Sequence, residues 1–357
     1  MVSKSFQFIF KPVLSCNLAC KYCYAKLMRH DKHSRMDFEE AKAAFDWIFK
    51  FCEYFDIQRT SILWQGGEPL MAGASFMRQI INYYEDGFKS RGITNTNTIQ
   101  TNLLLMDEDF ISNIHEYFNH KVGFSYDYKS ATRCFPDGKD VSNAVWRMVR
   151  KLSREGLDLR CICQITKENV LDMDGLYRHF KDQGVSFKIS QIFPTQNNEC
   201  GQSEVVSTKL SSAAICRLFD IWFDDSNPSI DITNLKELSA SFIRGFSTEC
   251  CRKMECSSLL LSIAPAGRIF PCARFDSPSD VVGNYYVDSP VEVMRNRQIK
   301  YNNIFPRADG CDDCRYKELC HGGCLYNRLV GWGGAECLSN KIILSHIEKR
   351  LMSCGVI

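Results

Sequence analysis

The feature that most limits the fold of this chain is a repeating order of strand-like and helix-like segments. Six short apolar runs with strand character alternate with stretches of helical period. The runs lie at residues 6–13, 61–65, 97–101, 121–127, 157–166 and 186–193. Strand–helix units joined by right-handed crossovers form a parallel sheet that curls into a barrel. We therefore predict an α/β fold, a partial barrel of six strand–helix units with its working face at the carboxyl ends of the strands.

A second, smaller domain is predicted after the barrel. The sequence becomes cysteine-dense and loop-rich there, and it contains one clear hairpin at 259–272. We place the barrel domain at 1–230 and the cysteine-rich domain, with its linker helix, at 231–357. Near the other end of the chain, Asp37 with Glu40 three residues later predicts a capping box at the start of the first helix.

Composition and charge narrow the range of partners. With 357 residues and 45% hydrophobic content, the chain can bury a sizeable core. Its net charge is only +2, and Lys and Arg are scattered among Asp and Glu, so we expect no nucleic-acid partner. No apolar stretch approaches the ~18 residues that cross a membrane, and the apolar run near the N-terminus is too short for a signal peptide. We therefore expect a cytoplasmic protein with no membrane partner.

Nineteen cysteines are a large excess for this chain. Disulfide frameworks belong to small secreted domains, so metal binding or catalysis is the better interpretation of these thiols. Three lie near the start, and ten lie between residue 250 and the C-terminus. The other six are expected to be mostly buried and inert: Cys52, Cys134, Cys161, Cys163, Cys200 and Cys216.

The first three cysteines, Cys16, Cys20 and Cys23, follow the first strand and are therefore predicted to lie on the working face. Thiolates bind soft metals and iron–sulfur clusters, and a four-iron cubane takes one outside ligand for each iron. Three cysteines would leave one iron open to a substrate or cofactor, by the same logic as an open catalytic zinc site. A zinc site with one distant ligand is the alternative.

The spacing C-x3-C-x2-C after the first strand of a six-unit barrel resembles that of the radical S-adenosylmethionine (SAM) enzymes. Tyr22 stands where these enzymes usually carry an aromatic residue. The second strand ends in a segment that matches their GGEP motif, formed by Gly66, Gly67, Glu68 and Pro69. The resemblance implies that SAM binds the open iron and that Glu68 accepts a hydrogen bond from the methionine ammonium. It also implies that the glycines let the backbone approach the ligand closely.

Further matches to this family lie at the ends of later strands. They are the segment 100–102, with Asn102 as a SAM contact, and Ser125 and Asp127 on the fourth strand. The resemblance implies that Ser125 contacts the SAM carboxylate or ribose, although a lone Ser is also a common turn residue. It implies the chemistry as well. One electron, from an external reductant of the flavodoxin or ferredoxin type, cleaves SAM, and the 5′-deoxyadenosyl radical then abstracts a hydrogen atom from the substrate.

The C-terminal cysteines resemble the SPASM extension of radical SAM peptide-modifying enzymes, which holds two auxiliary four-iron clusters. By this resemblance, the ligands of the first auxiliary cluster are Cys250, Cys256, Cys272 and Cys324. Those of the second are Cys311, Cys314, Cys320 and Cys337. The implied cofactors are thus three [4Fe-4S] clusters and SAM. Cys251 could replace Cys250, Cys354 has no counterpart, and a zinc ribbon is the alternative for the whole group.

Closed auxiliary clusters suggest the transfer of an electron to or from a substrate radical. We therefore expect a radical SAM oxidoreductase that matures a peptide or protein, as in ribosomally made peptide products (RiPPs). One alternative is an anaerobic sulfatase-maturating enzyme, which oxidises Cys or Ser to formylglycine. Those enzymes have an Asp directly after the hairpin cysteine, whereas this chain has Ala273, with Asp276 nearby but displaced. We therefore favour a carbon–carbon, carbon–nitrogen or thioether cross-link, or epimerisation.

Two further expectations concern partners. Only fifteen residues precede Cys16, so we expect no N-terminal leader-binding domain, and recognition of a leader by loops of this chain or by a separate protein. A SAM-independent iron–sulfur electron-transfer protein is the alternative outside the enzymes. The GGEP segment argues against it.

Overall fold

The computed structural model describes residues 4–25, 33–195, 202–252, 259–302 and 310–357, and a single sheet lies at its centre. Within these residues the strands are β1 Ser5–Phe10, β2 Arg59–Trp64, β3 Thr94–Thr101, β4 Lys121–Ser125, β5 Asp158–Ile165, β6 Phe187–Gln191, β7 Leu260–Ile263, β8 Arg268–Phe270 and β9 Gly283–Asn284. Their order in the sheet is β6-β5-β4-β3-β2-β1-β7-β8-β9.

Strands β1 to β6 are parallel neighbours in chain order, as the alternating sequence pattern predicts. The register keeps their carboxyl ends level, since Phe10 lies opposite Trp64 and Trp64 lies opposite Ile99. The sheet is open, with β6 and β9 at its edges. The predicted α/β partial barrel is therefore confirmed.

Helices connect the strands and cover the sheet. They are α1 Phe38–Tyr54, α2 Ala74–Ser90, α3 Glu108–Tyr117, α4 Ser142–Arg154, α5 Met173–Asp182, α6 Thr208–Phe223, α7 Thr233–Arg244, α8 Pro290–Asn302, α9 Lys317–Cys320, α10 Leu325–Leu329 and α11 Gly333–Ser353. The last helix, α11, packs along α6 and also contacts α7, so the end of the chain returns to the barrel. Among the described residues, none of these helices is long and apolar enough to cross a membrane.

Aromatic packing anchors the first strand. Phe6 and Phe8 pack against Phe51 of α1, with ring centroids 4.6 and 5.4 Å apart, and Phe10 packs against Phe45 at 5.0 Å. All five rings are buried. Burying a side chain of this size contributes about 1.5–3 kcal/mol. The strand that leads into the first cysteines is therefore held firmly from one face.

Half of the predicted capping box at α1 is present. Asp37 accepts a hydrogen bond of 2.8 Å from the Glu40 amide, as expected. The Glu40 carboxylate, however, accepts from the Ala266 amide at 2.6 Å and from the Tyr285 hydroxyl at 2.8 Å. These donors belong to the turn between β7 and β8 and to the segment after β9. Glu40 therefore joins the barrel to the C-terminal part of the sheet.

The predicted hairpin is confirmed as the antiparallel pair β7 and β8. Strand β7 also lies parallel to β1, with Ile263 opposite Phe10. The C-terminal third of the chain thus extends the sheet of the barrel. The domain division near residue 230 remains a prediction.

Candidate active site

The three cysteines after β1 line a cavity of about 190 Å³ at the carboxyl ends of the first strands. The same cavity is lined by most of the other residues that the sequence predicts to bind SAM. They are Tyr22, Gly66, Gly67, Glu68, Asn102 and Ser125. Pro69 lies behind the wall, buried as the first residue of a 3-10 helix over Pro69–Ala72. The structure therefore brings four separate strand ends together around Cys16, Cys20 and Cys23.

The glycines of the GGEP segment permit close contact between two loops. A Cβ atom on Gly66 would lie 2.2 Å from the Val13 carbonyl oxygen, and one on Gly67 would lie 2.0 Å from that of Ser15. The Gly67 amide donates to the Val13 oxygen at 2.9 Å, and the Glu68 amide donates to the Ser15 oxygen at 2.9 Å. The family resemblance predicts that the glycines let the ligand approach the backbone closely. The structure adds that they let the GGEP segment pack on the backbone of the cysteine loop.

Glu68 is almost fully buried and links β2 to β3. One carboxylate oxygen accepts from the Thr101 hydroxyl at 2.5 Å and from the Leu70 amide at 3.1 Å, and the other accepts from the Asn102 amide at 2.8 Å. Burial raises the pKa of Glu68 to about 7, although these three hydrogen bonds act in the opposite direction. The side chain holds the carboxyl end of β3 in place beside the cavity. Its contact with the SAM ammonium remains a prediction.

Donors surround the Cys16 sulfur. The Leu18 amide lies 3.4 Å from it, and the Asn102 side-chain amide lies 3.8 Å from it and 2.7 Å from the Asn17 side-chain oxygen. Such N–H groups stabilise a cluster-bound thiolate. Among the described residues, no three Cys, His, Asp or Glu side chains lie close enough together to hold one metal ion. The N–H groups at the Cys16 sulfur suit the predicted iron–sulfur cluster.

Asp127 lies at the centre of a buried polar network behind the cysteine loop. It accepts from the Tyr22 hydroxyl at 2.5 Å and the Thr132 hydroxyl at 3.2 Å, and it pairs with Arg133 at 3.1 Å. Its other oxygen accepts from the Gln164 amide at 2.9 Å. Burial raises the pKa of Tyr22 well above its usual value. Tyr22 therefore ties the cysteine loop to this network, and Asp127 has a structural role in holding the network together.

Ser125 lies at the end of β4, where it accepts a hydrogen bond of 3.0 Å from the Gln100 side-chain amide at the end of β3. Both residues line the cavity. The hydroxyl can still donate, so Ser125 can act on a ligand while Gln100 fixes its position. Its assignment as a SAM contact is compatible with this geometry and remains a prediction.

Several polar residues of the cavity were not predicted from the sequence, among them Gln65 and Tyr24. Gln65 donates a hydrogen bond of 2.7 Å to the Tyr24 hydroxyl, and the Tyr24 ring lies 6.2 Å from that of Phe193, past the end of β6. All three residues line the cavity. Tyr24 directly follows Cys23 and Gln65 directly precedes Gly66. Adjacency to the two motifs was therefore the signal that could have found them.

A buried lysine connects the barrel to the hairpin cysteine. Lys11 is 3% exposed, and its ammonium donates to the Ala273 carbonyl oxygen at 2.9 Å. Burial lowers its pKa, and the nearby charges of Asp276, Cys272 and Cys23 act to raise it. Asp276 is buried too, and its charge also acts on Tyr24. The displaced carboxylate noted in the sequence thus lies within electrostatic range of the cavity.

The predicted ligands of the first auxiliary cluster partly converge. Cys272 and Cys324 pack against one small apolar cluster, and both act electrostatically on Cys250. Burial raises the pKa of Cys272, and the Cys324 thiolate raises it further. Cys251 neighbours Arg252 and Glu249 and also acts electrostatically on Cys250, so the assignment of Cys250 as the ligand remains a prediction. Cys256 lies outside the described residues.

The four cysteines predicted for the second auxiliary cluster line one cavity beside α9 and α11: Cys311, Cys314, Cys320 and Cys337. The Asn340 side-chain amide donates to the Cys320 sulfur at 3.4 Å. A shared space bounded by four thiols, with a donor on one sulfur, suits a closed cluster. Cys354 is exposed at the end of α11, away from this group.

The dispersed cysteines behave as expected wherever the structure describes them. Cys52, Cys134, Cys161, Cys163 and Cys216 are buried. Burial raises the pKa of Cys52 and of Cys216 to about 12, which keeps both thiols protonated and inert. Cys200 lies outside the described residues.

Comparison with known proteins identifies similar enzymes. The chain is 25% identical over 339 residues to the cysteine-type anaerobic sulfatase-maturating enzyme of Clostridium novyi (strain NT), covering 91% of this chain and 89% of that one. It is 21% identical over 327 residues to the serine-type enzyme of Klebsiella aerogenes, covering 89% and 79%. No protein-family model matches.

Solved structures agree on the fold. The protein anSMEcpe with bound AdoMet has a TM-score of 0.80 at 21% identity, with 98% of each chain covered, and it is also known with a bound Cp18Cys peptide. SuiB of Streptococcus suis with its precursor peptide SuiA has a TM-score of 0.61 at 16% identity, covering 90% of this chain and 72% of that one. The predicted radical SAM and SPASM resemblance is confirmed, and AdoMet in the neighbours agrees with the predicted cofactor. The relatives favour the sulfatase-maturating alternative over the cross-linking function preferred from the sequence.

Proposed function

We propose that this chain, which has the radical SAM/SPASM fold, is an anaerobic maturase that oxidises a Cys or Ser side chain of a protein to formylglycine. The observation that carries the proposal is the single cavity that joins the cysteine loop, the GGEP segment and the ends of β3 and β4. The relatives that match along nearly the whole chain are sulfatase-maturating enzymes, which supports the choice of reaction.

The bound groups would be held by this chain's own side chains. Cys16, Cys20 and Cys23 would hold the SAM cluster, and the two C-terminal cysteine sets would hold the auxiliary clusters. When bound, SAM and the clusters supply a 5′-deoxyadenosyl radical and an acceptor for one electron. Gln65 and Tyr24 line the cavity, and the Tyr24 hydroxyl, which accepts from Gln65, would be available to the substrate's polar side-chain atom.

Oxidation to an aldehyde also requires a base. The hydrogen atom leaves the substrate's β-carbon, a proton leaves its sulfur or oxygen, and one further electron is removed. For Cys, water then replaces sulfur, which leaves as hydrogen sulfide. We propose Asp276 as the base because it is buried and its charge acts on both Lys11 and Tyr24.

Cross-linking or epimerisation of a peptide remains the second candidate because of Ala273. Its methyl group stands where sulfatase-maturating enzymes carry an Asp, and its carbonyl oxygen is held by Lys11. A carbon–carbon cross-link or an epimerisation removes no proton from a thiol or hydroxyl, so it needs no base for such a group at this position. A separate leader-binding protein and a flavodoxin-like or ferredoxin-like reductant would be the partners in that case.

One anaerobic experiment separates the candidates. Reconstituted protein is mixed with SAM, a reductant and either a sulfatase-type Cys or Ser peptide or a precursor peptide encoded beside it, and products are followed by mass spectrometry. Formylglycine supports the main proposal. Loss of two hydrogens, or unchanged mass with an inverted stereocentre, in the precursor peptide supports the second candidate. No 5′-deoxyadenosine from any mixture would sink both, and would favour a SAM-independent electron-transfer protein.

A further inference from the structure

Arg274 lies between the barrel cavity and the first auxiliary cysteine set. Its guanidinium donates to the Asn327 side-chain oxygen at 2.9 Å, and the same nitrogen lies 3.6 Å from the Cys324 sulfur. Its planar group also stacks on the Phe193 ring, with the guanidinium carbon 4.0 Å from the ring centroid. The side chain is therefore fixed from two directions, by Asn327 on the cysteine side and by Phe193 on the cavity side.

This guanidinium carries a positive charge, since arginine is not deprotonated in proteins. Glu336, a buried carboxylate, accepts from the Cys324 amide at 2.9 Å on the same cysteine. A permanent positive charge thus lies directly beside a predicted cluster ligand.

We propose that Arg274 is a positioning residue that raises the reduction potential of the first auxiliary cluster. The inference rests on the proposed function insofar as it assigns Cys324 to that cluster. Adding an electron makes a cluster more negative, so an N–H donor and a positive charge at a ligand sulfur stabilise the reduced form. Arg274 also stacks on Phe193, which lines the cavity, so the predicted ligand Cys324 lies close to the cavity.

The second cysteine set provides a matched comparison. There the donor to the Cys320 sulfur is the neutral Asn340 amide, at 3.4 Å, and Arg252, whose charge also acts on Cys320, holds the Asn340 oxygen at 2.8 Å. A neutral donor stabilises a negative charge less than a charged donor does. The two auxiliary clusters should therefore differ, with the first reduced more easily than the second. An electron taken from a substrate radical would then go to the cluster beside Arg274.

The test is anaerobic potentiometry of the fully loaded protein, followed by electron paramagnetic resonance, with cluster-deleted variants used to assign each signal. Arg274→Met keeps the length and removes the charge and the donors. We expect it to change the oxidised-to-reduced ratio of the first auxiliary cluster about tenfold at a fixed potential, equivalent to ~59 mV, towards the oxidised form. Asn340→Leu should lower the reduction potential of the second auxiliary cluster and leave that of the first unchanged.

Each outcome decides between the claims. A wild-type protein that holds iron only at the SAM cluster would overturn the proposed function itself. Three loaded clusters with an unmoved first auxiliary potential in Arg274→Met, or an equal shift of both auxiliary clusters, would overturn the role of Arg274. If Arg274→Met loses iron, Arg274→Gln decides, since it keeps an N–H donor and removes the charge. A smaller shift in the same direction, confined to the first cluster, supports the inference, and no shift refutes it.

Discussion

The Tyr22 hydroxyl donates a hydrogen bond of 2.5 Å to the Asp127 carboxylate, which also pairs with Arg133 behind the cysteine loop. Asp127→Asn would leave the Arg133 charge without its buried partner, and we expect it to lower the free energy of unfolding by about 3–5 kcal/mol. Tyr22→Phe removes one hydrogen bond to a charged group, so its expected loss is about 1.5–3 kcal/mol. Anaerobic urea unfolding measures both values.

Lys139→Ala is the matched control for these variants. Its ion pair with Asp137 lies at the surface, with side-chain exposures of 80% and 52%. Removing such a pair changes stability by about 0–1 kcal/mol. A loss in Asp127→Asn no larger than this control would contradict the role assigned to the buried network.

Gly67→Ala should damage the cysteine loop selectively. The added carbon would meet the Ser15 and Leu14 carbonyl oxygens at 2.0 and 2.4 Å, so one loop must move away from the other. We expect loss of the SAM cluster and of SAM cleavage, with the auxiliary iron retained. Gly334→Ala at the start of α11, where an added carbon meets nothing within 4 Å, should change neither. Iron analysis and 5′-deoxyadenosine assays give the answer, and an unaffected Gly67→Ala protein would refute the packing argument.

The cysteine sets predict the iron content. Reconstituted protein should hold roughly twelve irons, four for each cluster. Replacing Cys16, Cys20 and Cys23 together by Ala should remove about a third of this iron and all SAM cleavage. Cys314→Ala should instead lower product formation more than SAM cleavage. Survival of SAM cleavage in the triple variant would show that the open iron lies elsewhere.

Glu68 should give the protein a pH-dependent stability. Burial raises its pKa from 4.5 to about 7, so the folded state holds the proton more tightly than the unfolded chain does. Its contribution to stability is therefore full below pH 4.5 and decreases as the pH rises to about 7. Relative to the wild type, Glu68→Gln should gain up to about 3 kcal/mol between about pH 5 and 8. The free energies of unfolding of the wild type and of Glu68→Gln are measured by urea titration at each pH. If the two change with pH in parallel, Glu68 is already ionised in the folded state.

Asp276→Asn tests the proposed base. Loss of a positioned base should slow formylglycine formation about 10²–10⁴-fold, whereas SAM cleavage needs no such group and should fall far less. Ala273→Asp, which restores the carboxylate at the family's usual place, should recover part of the activity when added to Asp276→Asn. Product yield and 5′-deoxyadenosine measured in the same reactions separate the two steps. If Asp276→Asn lowers the formylglycine yield and the 5′-deoxyadenosine yield equally, the fold is disturbed and the loss does not come from a missing base.

The sequence predicted the barrel and most of the cavity because both depend on local pattern. Strand and helix periods determine the order of elements, and residues at the carboxyl ends of neighbouring parallel strands must meet. Cys16, Glu68, Asn102 and Ser125 therefore line one cavity, as expected. The hydrogen-bond partners of these residues could not be predicted in the same way. Glu68, for example, accepts from Thr101 and Asn102 only because β3 lies beside β2.

Contacts between residues that lie far apart in the chain could not be predicted from any local sequence pattern. Lys11 meets the Ala273 carbonyl oxygen 262 residues later, and Glu40 meets the Tyr285 hydroxyl 245 residues later. No spacing rule links such positions, so the sequence predicted a capping role for the Glu40 side chain and no role for Lys11. The hairpin itself was predicted correctly, but its place beside β1 was not.

That place has a consequence for how the protein is made. Strand β1 ends at Phe10, and its second neighbour, β7, begins at Leu260, so about 250 residues must be synthesised before both of its edges are paired. During this time the newly made barrel presents an open strand edge, which can pair with other chains. A fragment ending at residue 230 would keep that edge open permanently. Strand β1 is thus made early, and it is among the last strands to have both of its edges paired.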